Sequence, residues 1–346
     1  GKGMRIVRKN SELEENFNAA KSESKKSFGD DRVFIEKYIE QPRHIEIQIL
    51  CDKHGNQVHL GERECSIQRR YQKVIEECPS PFVDSKMRTK MAEQALKLAK
   101  EVKYDSAGTV EFVVDSKKNF YFLEMNTRLQ VEHPVTELVT GIDLVEQMIR
   151  CADNKKLKIT QKDIKLKGWS VESRIYAEDP IKDFLPSIGR VTHYIEPGIS
   201  SNDEDVIRND TGISPGSEVS LFYDPMISKL AVHSKDRKTA IDLMIKSLEN
   251  YYLSGVENNI NFLISILDDK KFRNGDISTN FIKDKFKKGY ESNLALNYDK
   301  EIKLSIFALV LHCYQIKEES LKKNKSYAVK INDNYTDIQI LKFDFS

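Results

Sequence analysis

The feature that most constrains the fold is a predicted β-hairpin with acidic side chains on one face. Residues 109–115 and 120–126 form two extended patterns, and the polar loop 116–119 separates them. If this loop closes the hairpin symmetrically, Glu111 stands directly opposite Glu124. Like charges that face each other across two strands are destabilising, and at about 4–5 Å they repel by about 1 kcal/mol or more at intermediate dielectric. The pair therefore needs a positive partner.

A divalent cation between the two carboxylates would reverse this repulsion. Asn126 lies two residues beyond Glu124, on the same face, and offers a third oxygen. Carboxylate and amide oxygens are the hard ligands that Mg2+ or Mn2+ prefers, so we predict a metal site at Glu111, Glu124 and Asn126. Taken alone, the hairpin fits equally well a solvated face that Lys117 or Lys118 neutralises.

The polar alternation continues past the predicted hairpin. The residues that share the face of Glu124, at every second position, are Asn126, Arg128, Gln130 and Glu132, whereas Met125, Leu129 and Val131 point the other way. Five functional side chains in succession are costly in a core and unusual on a plain surface. The alternation therefore favours one face of an active site, on which metal ligands, then anion-binding residues and then a base follow one another along the chain.

Composition excludes several classes of protein. The chain has 346 residues, 39% hydrophobic and 32% charged, with a net charge of +1, which is typical of a soluble globular protein of two or three units. No global field recruits nucleic acid or a membrane surface, and no apolar run reaches the roughly 18 residues of a membrane span. Five scattered cysteines without a CxxC pair argue against a disulfide framework and a zinc site, and indicate a reducing compartment.

Periodicity and turn residues predict mixed helices and strands. The predicted segments of the first half are strand–helix–strand over 1–50 with an apolar run at 33–39, a strand at 44–50, a turn at 52–56, a helix from Asp84 to Val102, and a helix at 134–148 broken at Gly141 with Asp143 near the new start. Those of the second half are a polar connection at 154–167, strands at 169–177, 189–195 and 218–222, a helix at 238–252, a second linker at 292–300, a helix at 302–314 and a strand pair from Tyr327.

Residues 123–137 (LEMNTRLQVEHPVTE) resemble the signature of the biotin-dependent carboxylases. Segments 42–48, 62–70 and 171–174 match the same family in the same order, and so long a set of motifs is a strong signal. The resemblance runs continuously over about residues 1–290. Segments 27–31, 115–122 and 275–279 favour the propionyl-CoA type over the acetyl-CoA and pyruvate types.

The resemblance implies an α+β fold, in which the C-terminal part of an ATP-grasp domain precedes the antiparallel sheet and helices of a biotin carboxylase C-terminal domain. The implied organisation is 1–153 for the remainder of the ATP-grasp domain, 154–167 for a linker, 168–290 for the biotin carboxylase C-terminal domain and 300–346 for the incomplete start of a domain that joins the β subunit.

The reaction implied is the carboxylation of biotin by ATP and bicarbonate through carboxyphosphate. The matching positions are Glu111, Glu124 and Asn126 for metal, Lys73, Arg128, Gln130 and the N–H of Val131 for bicarbonate, Glu132 for the general base, and Arg174 for the biotin enolate. Lys73, Arg128, Glu132 and Arg174 are thus the expected catalytic residues. For Arg174 an ion pair with Glu172 is an alternative or additional role, and His133 is expected to be structural.

The nucleotide site implied by the resemblance is only partly present. Its matching residues are Gly1, Glu36, Lys37, Tyr38, Ile39, His44, Gln68 and Tyr71, together with Glu111 and Glu124; some family members carry histidine at the position of Tyr71. Residues 1–3 resemble only the tail of the glycine-rich lid that covers the phosphates. We therefore expect this stretch alone to turn over ATP weakly or not at all.

The cofactors implied are ATP with Mg2+ or Mn2+, as two ions, and biotin as a carried substrate whose attachment lysine is not in this chain. The partners implied are a biotin carrier domain and a carboxyltransferase β subunit in a homo- or hetero-oligomer, with no nucleic acid and no membrane. The expected compartment is the bacterial cytoplasm or the mitochondrial matrix. The alternatives are the same module of an acetyl-CoA, methylcrotonyl-CoA or pyruvate carboxylase, and a non-catalytic docking fragment.

Overall fold

The computed structural model describes residues 3–198, 200–201, 205–291, 298–315, 326–331 and 334–339. The chain divides into two compact units, Gly1–Tyr290 and Glu291–Ser346. Among the described residues, no helix is both long enough and apolar enough to cross a membrane.

The strands are numbered in chain order. They are β1 Arg43–Cys51, β2 Gln57–Arg69, β3 Gln72–Cys78, β4 Ser106–Val114, β5 Phe120–Asn126, β6 Trp169–Tyr176, β7 Glu178–Asp179, β8 Leu185–Pro186, β9 Gly189–Arg190, β10 His193–Ile195, β11 Ser200–Ser201, β12 Val206–Thr211, β13 Glu218–Val219, β14 Met226–Ser234, β15 Tyr252–Ser254, β16 Ser326–Ile331 and β17 Asn334–Gln339.

The helices are numbered in the same way. They are α1 Leu13–Phe28, α2 Ser85–Glu101, α3 His133–Thr140, α4 Leu144–Ala152, α5 Arg237–Glu249, α6 Ile260–Leu267, α7 Lys270–Arg273, α8 Phe281–Lys285 and α9 Tyr298–Gln315, with short 3-10 turns at Asn10–Glu12 and Pro180–Lys182.

A nine-stranded antiparallel sheet runs through the first unit in the order β11-β12-β14-β6-β3-β2-β1-β4-β5. The predicted linker at 154–167 contains no helix or strand. The strand that follows it, β6, nevertheless pairs with β3 from before it, and this pairing joins both halves in one sheet. The division of the chain into domains at this linker stays a prediction.

Alternation along β1 separates a core face from a polar face. Ile45, Ile47 and Ile49 are fully buried and pack with Met91 and Ala95 of α2. Asp84 caps α2 as predicted, since its side chain accepts a hydrogen bond from the backbone N–H of Met87. The opposite face of the same strand carries His44, Glu46 and Gln48.

The other half of the sheet packs in the same way against α5 and α6. Val171 of β6 and Leu230 of β14 are fully buried together with Met244 of α5 and Phe262 of α6. The helices α2, α5 and α6 thus cover the apolar side chains of the strands, whereas the polar side chains project from the opposite face.

The predicted break at Gly141 is confirmed. Gly141 ends α3 with a φ of 71°, and its N–H donates to the carbonyl of Glu137 at 2.7 Å. Asp143 then caps α4, accepting from the N–H of Glu146 at 2.8 Å. The helix expected at 302–314 and the strand pair expected from Tyr327 are also confirmed, as α9 and as β16 with β17. Most of the linker expected at 292–300 lies outside the described residues.

Two local predictions were wrong, and two long strands were missed. Residues 30–39, which include the apolar run at 33–39, form no strand, and neither do residues 3–9. The polar alternation does not continue as a strand to residue 132, since β5 ends at Asn126. Finally, the long strands β12 and β14 were not predicted.

Candidate functional site

One row of charged side chains crosses four strands of the polar face. Glu46 of β1 lies opposite Arg63 of β2 on one side and opposite Glu111 of β4 on the other. Glu111 lies opposite Glu124 of β5, as the hairpin pattern predicted. The loop is one residue longer than expected, at 115–119, and a bulge at Leu123 restores the register before the acidic pair.

Lys73 neutralises the centre of this row. Its Nζ lies 2.6 Å from Glu46 Oε2, 3.0 Å from Glu111 Oε1 and 2.5 Å from Glu132 Oε1. Burial lowers the pKa of Lys73, but Glu46 and the other carboxylates outweigh this effect and raise that pKa well above its usual range. Lys73 is therefore a permanent cation that holds the predicted base beside the predicted metal ligand.

Arg63 anchors the inner end of the row with a fully buried guanidinium. It uses all five of its N–H donors. Nε donates to Glu46, Nη1 donates to Gln48 at 2.6 Å and Thr136 at 3.0 Å, and Nη2 donates to Thr109 at 3.1 Å and Gln130 at 2.7 Å. These contacts tie β1, β2 and β4 to α3 and to the segment that carries Gln130.

Arg174 reaches Glu132 from β6, the strand next to β3 in the sheet. On β6, its Nε donates to Glu76 Oε1 at 2.6 Å and its Nη2 donates to Glu132 Oε2 at 2.9 Å. The predicted ion pair between Arg174 and Glu172 is wrong. The partners of Arg174 are Glu76, on a neighbouring strand, and Glu132, on the turn before α3. Both carboxyl oxygens of Glu172 are buried without a hydrogen-bond partner. The two oxygens of Glu132 thus face two different cations, Lys73 and Arg174.

Glu111 lies among donors on three sides. Its Oε1 accepts from Lys73 at 3.0 Å and from Gln130 Nε2 at 2.6 Å, while Oε2 lies 3.0 Å from His44 Nε2. Burial raises the pKa of Glu111, but the hydrogen bond and charge of His44, with Lys73, outweigh it and hold that pKa well below its usual range. Glu111 is therefore ionised under all ordinary conditions.

The outer end of the row fits a hard cation. Glu124 is exposed and has no ion-pair partner among the described residues. The Oδ1 atom of Asn126 accepts from Arg128 at 3.2 Å, and its buried Nδ2 has no partner. Two carboxylates and an amide oxygen on adjacent strands supply the oxygen ligands that Mg2+ prefers. The metal-binding role of Glu111, Glu124 and Asn126 stays a prediction.

The predicted bicarbonate residues separate into two groups. Gln130 is buried between Arg63 and Glu111, whereas Arg128 is exposed beside Asn126. Because β5 ends at Asn126, the expectation that these residues follow one another along one strand face is wrong.

The predicted nucleotide residues are more dispersed. Gly1 lies outside the described residues, and Glu36, Lys37, Tyr38 and Ile39 belong to a segment without regular structure. Gln68 is buried opposite Lys73, and its Nε2 donates to the carbonyl of Cys65 at 2.9 Å. Tyr71 is 66% exposed at the tip of the β2–β3 hairpin, where its φ is 67°. Of the described residues of this set, Glu111 and Glu124 belong to the charged row, and His44 and Gln68 lie close to it.

Sequence reasoning missed four of the residues that build the site. These are Glu46, Arg63, Glu76 and Lys229. Glu46 could have been found, since it follows His44 at strand spacing on the same face. Arg63, Glu76 and Lys229 join the site through pairings between distant strands, which no local pattern reveals.

Two family models match the chain in succession. "Carbamoyl-phosphate synthase L chain, ATP binding domain" matches residues 1–160, and "Biotin carboxylase C-terminal domain" matches residues 172–284. The gap between the two matches falls largely within the predicted linker.

Curated relatives and a solved structure agree with these models. The chain is 55% identical over 306 residues to the propionyl-CoA carboxylase alpha chain of Ruegeria pomeroyi, covering 84% of this chain and 45% of that one. It is 51% identical over 330 residues to the human mitochondrial propionyl-CoA carboxylase alpha chain, covering 95% and 45%. The biotin carboxylase domain of Hydrogenobacter thermophilus 2-oxoglutarate carboxylase, solved with MgADP, ADP and bicarbonate, superposes with a TM-score of 0.77 at 46% identity, covering 82% and 61%. The chain thus spans about half the length of these curated relatives.

Proposed function

We propose, from the premise that this chain belongs to the biotin carboxylase family of the biotin-dependent carboxylases, that the protein containing it carboxylates biotin with ATP and bicarbonate. The single observation that carries this proposal is the position of Glu132. Its two oxygens lie 2.5 Å from Lys73 Nζ and 2.9 Å from Arg174 Nη2, next to the acidic row. A base held between two cations suits chemistry on small anions.

In the proposed reaction, Glu132 removes the proton of bicarbonate, and a bicarbonate oxygen attacks the γ-phosphate of ATP. The products are ADP and carboxyphosphate, which breaks down to CO2 and phosphate. That phosphate takes the ureido proton of biotin, and the deprotonated ureido nitrogen then attacks CO2 to give carboxybiotin. Lys73 and Arg128, with Gln130 and the N–H of Val131, bind and orient the anion, because fixed cations and N–H donors stabilise negative charge that develops in a dry site.

Arg174 has two successive partners in this proposal. In the structure it donates to Glu132 Oε2. Once Glu132 has taken a proton, its attraction for Arg174 weakens, and the guanidinium becomes available to the enolate oxygen of biotin. Glu76, which accepts from Arg174 Nε at 2.6 Å, keeps the side chain in place during this exchange.

Glu111, Glu124 and Asn126 would hold the metal, which when bound would neutralise the phosphates of the nucleotide. The solved neighbour contains MgADP, which supports Mg2+ for this chain; Mn2+ and a second ion remain part of the proposal. For the nucleotide we propose the predicted set, with Gly1, Glu36, Lys37, Tyr38, Ile39, His44, Gln68 and Tyr71. We also propose that biotin arrives on a carrier domain.

The acyl substrate and the partners are proposed from the relatives. Both curated relatives described above are propionyl-CoA carboxylase alpha chains, which supports a propionyl-type complex with a carboxyltransferase β subunit. Free buried thiols at Cys51, Cys65, Cys78 and Cys151 are consistent with a reducing compartment, either the bacterial cytoplasm or the mitochondrial matrix.

The test is the transfer of labelled bicarbonate to free biotin by the full-length natural protein that contains this chain. We expect incorporation that depends on ATP, and we expect Glu132→Gln to lower kcat by about 100-fold or more, since it removes the general base. The matched control is Glu77→Gln, which neutralises another buried carboxylate paired with an arginine, Arg237 at 2.6 Å. A wild-type protein that neither carboxylates biotin nor cleaves ATP in response to bicarbonate would contradict the proposal.

A further inference from the structure

We propose that Lys229 is a positioning residue for this reaction, because it fixes the turn that carries the base Glu132. The proposal rests on the proposed function. Lys229 lies in β14, and no role was predicted for it from the sequence. The structure places Lys229 beside the turn that carries Glu132, although its strand is distant from Glu132 in sequence.

The sheet register places Lys229 in line with the site. On β14 it lies directly opposite Arg174 of β6 on one side and opposite Asp210 of β12 on the other. All three side chains therefore project from the same face. The side chain of Lys229 is only 15% exposed, and its Nζ lies 3.3 Å from Asp210 Oδ2.

From this position Lys229 contacts the turn on both sides of Glu132. Its Nζ donates to the carbonyl of Val131 at 2.8 Å and lies 3.1 Å from His133 Nε2. His133 Nδ1 lies 3.2 Å from Glu137 Oε2, so a neutral ring with its proton on Nδ1 accepts from Lys229 at Nε2. The residues before and after the base are thus held by one ammonium group.

The turn depends on such an external contact. Residues 127–132 form neither strand nor helix, and they connect the end of β5 to the start of α3. Glu132 must nevertheless keep its two oxygens on Lys73 and Arg174, which come from two other strands. A displacement of about 1 Å in a catalytic group can cost about 100-fold in rate. Lys229 limits the displacement of Glu132, because it joins the turn that carries Glu132 to the same sheet that carries Arg174.

The ammonium group is itself held by a chain of charges. Arg208 Nε lies 2.8 Å from Asp210 Oδ1, and Arg208 Nη1 lies 2.7 Å from Glu137 Oε2. Glu137 is in turn the partner of His133. The chain closes on itself around Lys229, so the lysine has a defined place and does not merely fill a surface position.

The test compares Lys229→Met with Lys285→Met in the full-length protein. Lys285 is a matched control, because its Nζ also donates to a backbone carbonyl, that of Ser265 at 2.8 Å, and to a carboxylate, Asp269 Oδ2 at 2.7 Å, and neither partner belongs to the charged row or to the turn that carries Glu132. We expect Lys229→Met to raise the KM for bicarbonate or lower kcat by about tenfold or more, with the KM for ATP unchanged. Lys229→Arg should recover part of the loss.

Two outcomes would overturn the inference while the proposed function stands. In one, Lys229→Met keeps the wild-type kcat and bicarbonate KM; in the other, Lys285→Met loses as much as Lys229→Met. If Lys229→Met does not fold, Asp210→Asn decides, since it removes the carboxylate that holds Lys229. Its bicarbonate KM should rise by a smaller factor, and an unchanged value would overturn the inference. An inactive wild-type protein would contradict the proposed function itself.

Discussion

Arg63 and Glu172 show two opposite fates of a fully buried ionisable side chain. Every N–H of Arg63 has an acceptor; burial lowers the pKa of Arg63, but the negative groups around it, with Glu46 and Glu132 foremost, together outweigh burial and raise that pKa. Glu172 lies opposite Glu76 in the sheet, and neither of its oxygens has a partner. Burial, reinforced by Glu76, raises the pKa of Glu172 well above its usual range. The first residue is held charged and the second is held neutral.

Glu172→Gln should make the protein more stable at high pH. In the unfolded chain this carboxyl loses its proton above about pH 4.5, whereas in the folded chain burial makes it keep the proton to higher pH. The folded state then binds more protons, so the free energy of unfolding falls as pH rises above that value. The variant cannot titrate here, so its advantage in Tm over wild type should grow as pH rises above about 4.5, as measured by calorimetry.

Glu137→Gln is a control for which the expected change of stability with pH has the opposite sign. Burial raises the pKa of Glu137, but hydrogen bonds from His133 and Arg208 outweigh burial and lower it to about 2. The charged form therefore adds stability above about pH 4.5, and this stability is lost as pH falls towards 2. Glu137→Gln should lower the Tm at pH 7 and lose this effect in acid. A Tm difference for Glu172→Gln that does not change with pH would contradict the assignment of a neutral Glu172.

At the scale of single elements, the helix signals were the most predictable. The ends of α2, α3 and α4 follow from Asp84, Gly141 and Asp143, because caps act on the backbone of the same turn. The acidic pairing of Glu111 with Glu124 was also predictable, since a hairpin loop fixes its register locally.

The cap of α4 gives a prediction at this scale. Asp143→Ala removes the side-chain acceptor for the N–H of Glu146 and should cost about 1 kcal/mol in the free energy of unfolding. Asp143→Asn keeps an acceptor oxygen and should lose much less. Urea unfolding with both variants provides the measurement, and equal losses would show that the cap is not the cause.

The failures at this scale have a common physical origin. Residues 33–39 have the composition of a strand, but Phe34 and Ile35 are 79% and 70% exposed and no described strand pairs with them. A strand needs a partner, and composition does not supply one. Strands β12 and β14 were missed because their composition does not indicate a strand, and they are extended because they pair with each other and with β6. For the same reason the roles of Arg63 and Lys229 could not be seen in the sequence.

At the scale of the whole molecule, the nine-stranded sheet is the unit that holds the site. Lys73 on β3 and Arg174 on β6 come from opposite sides of the predicted linker, yet both contact Glu132. Trp169, the only tryptophan, donates from Nε1 to Glu77 at 2.8 Å across the same pair of strands.

The shared sheet predicts that both halves of the first unit unfold together. Amide hydrogen exchange should show β1 and β14 losing protection at the same urea concentration, because strands of one continuous sheet open as a cooperative unit. Trp169 fluorescence, which reports on the contact between β3 and β6, should change at that concentration too. Exchange in β14 at clearly lower urea than in β1 would contradict this prediction.

The pairing of β3 with β6 also limits how the gene can be divided. Two pieces separated within residues 154–167 would each present a long unpaired strand edge, which is a template for association with the wrong chain. Each piece would also keep only one of the two cations that hold Glu132. Insertions of foreign sequence between these residues should be tolerated far better than a cut, since the connection lies outside the sheet and only its two ends must stay close.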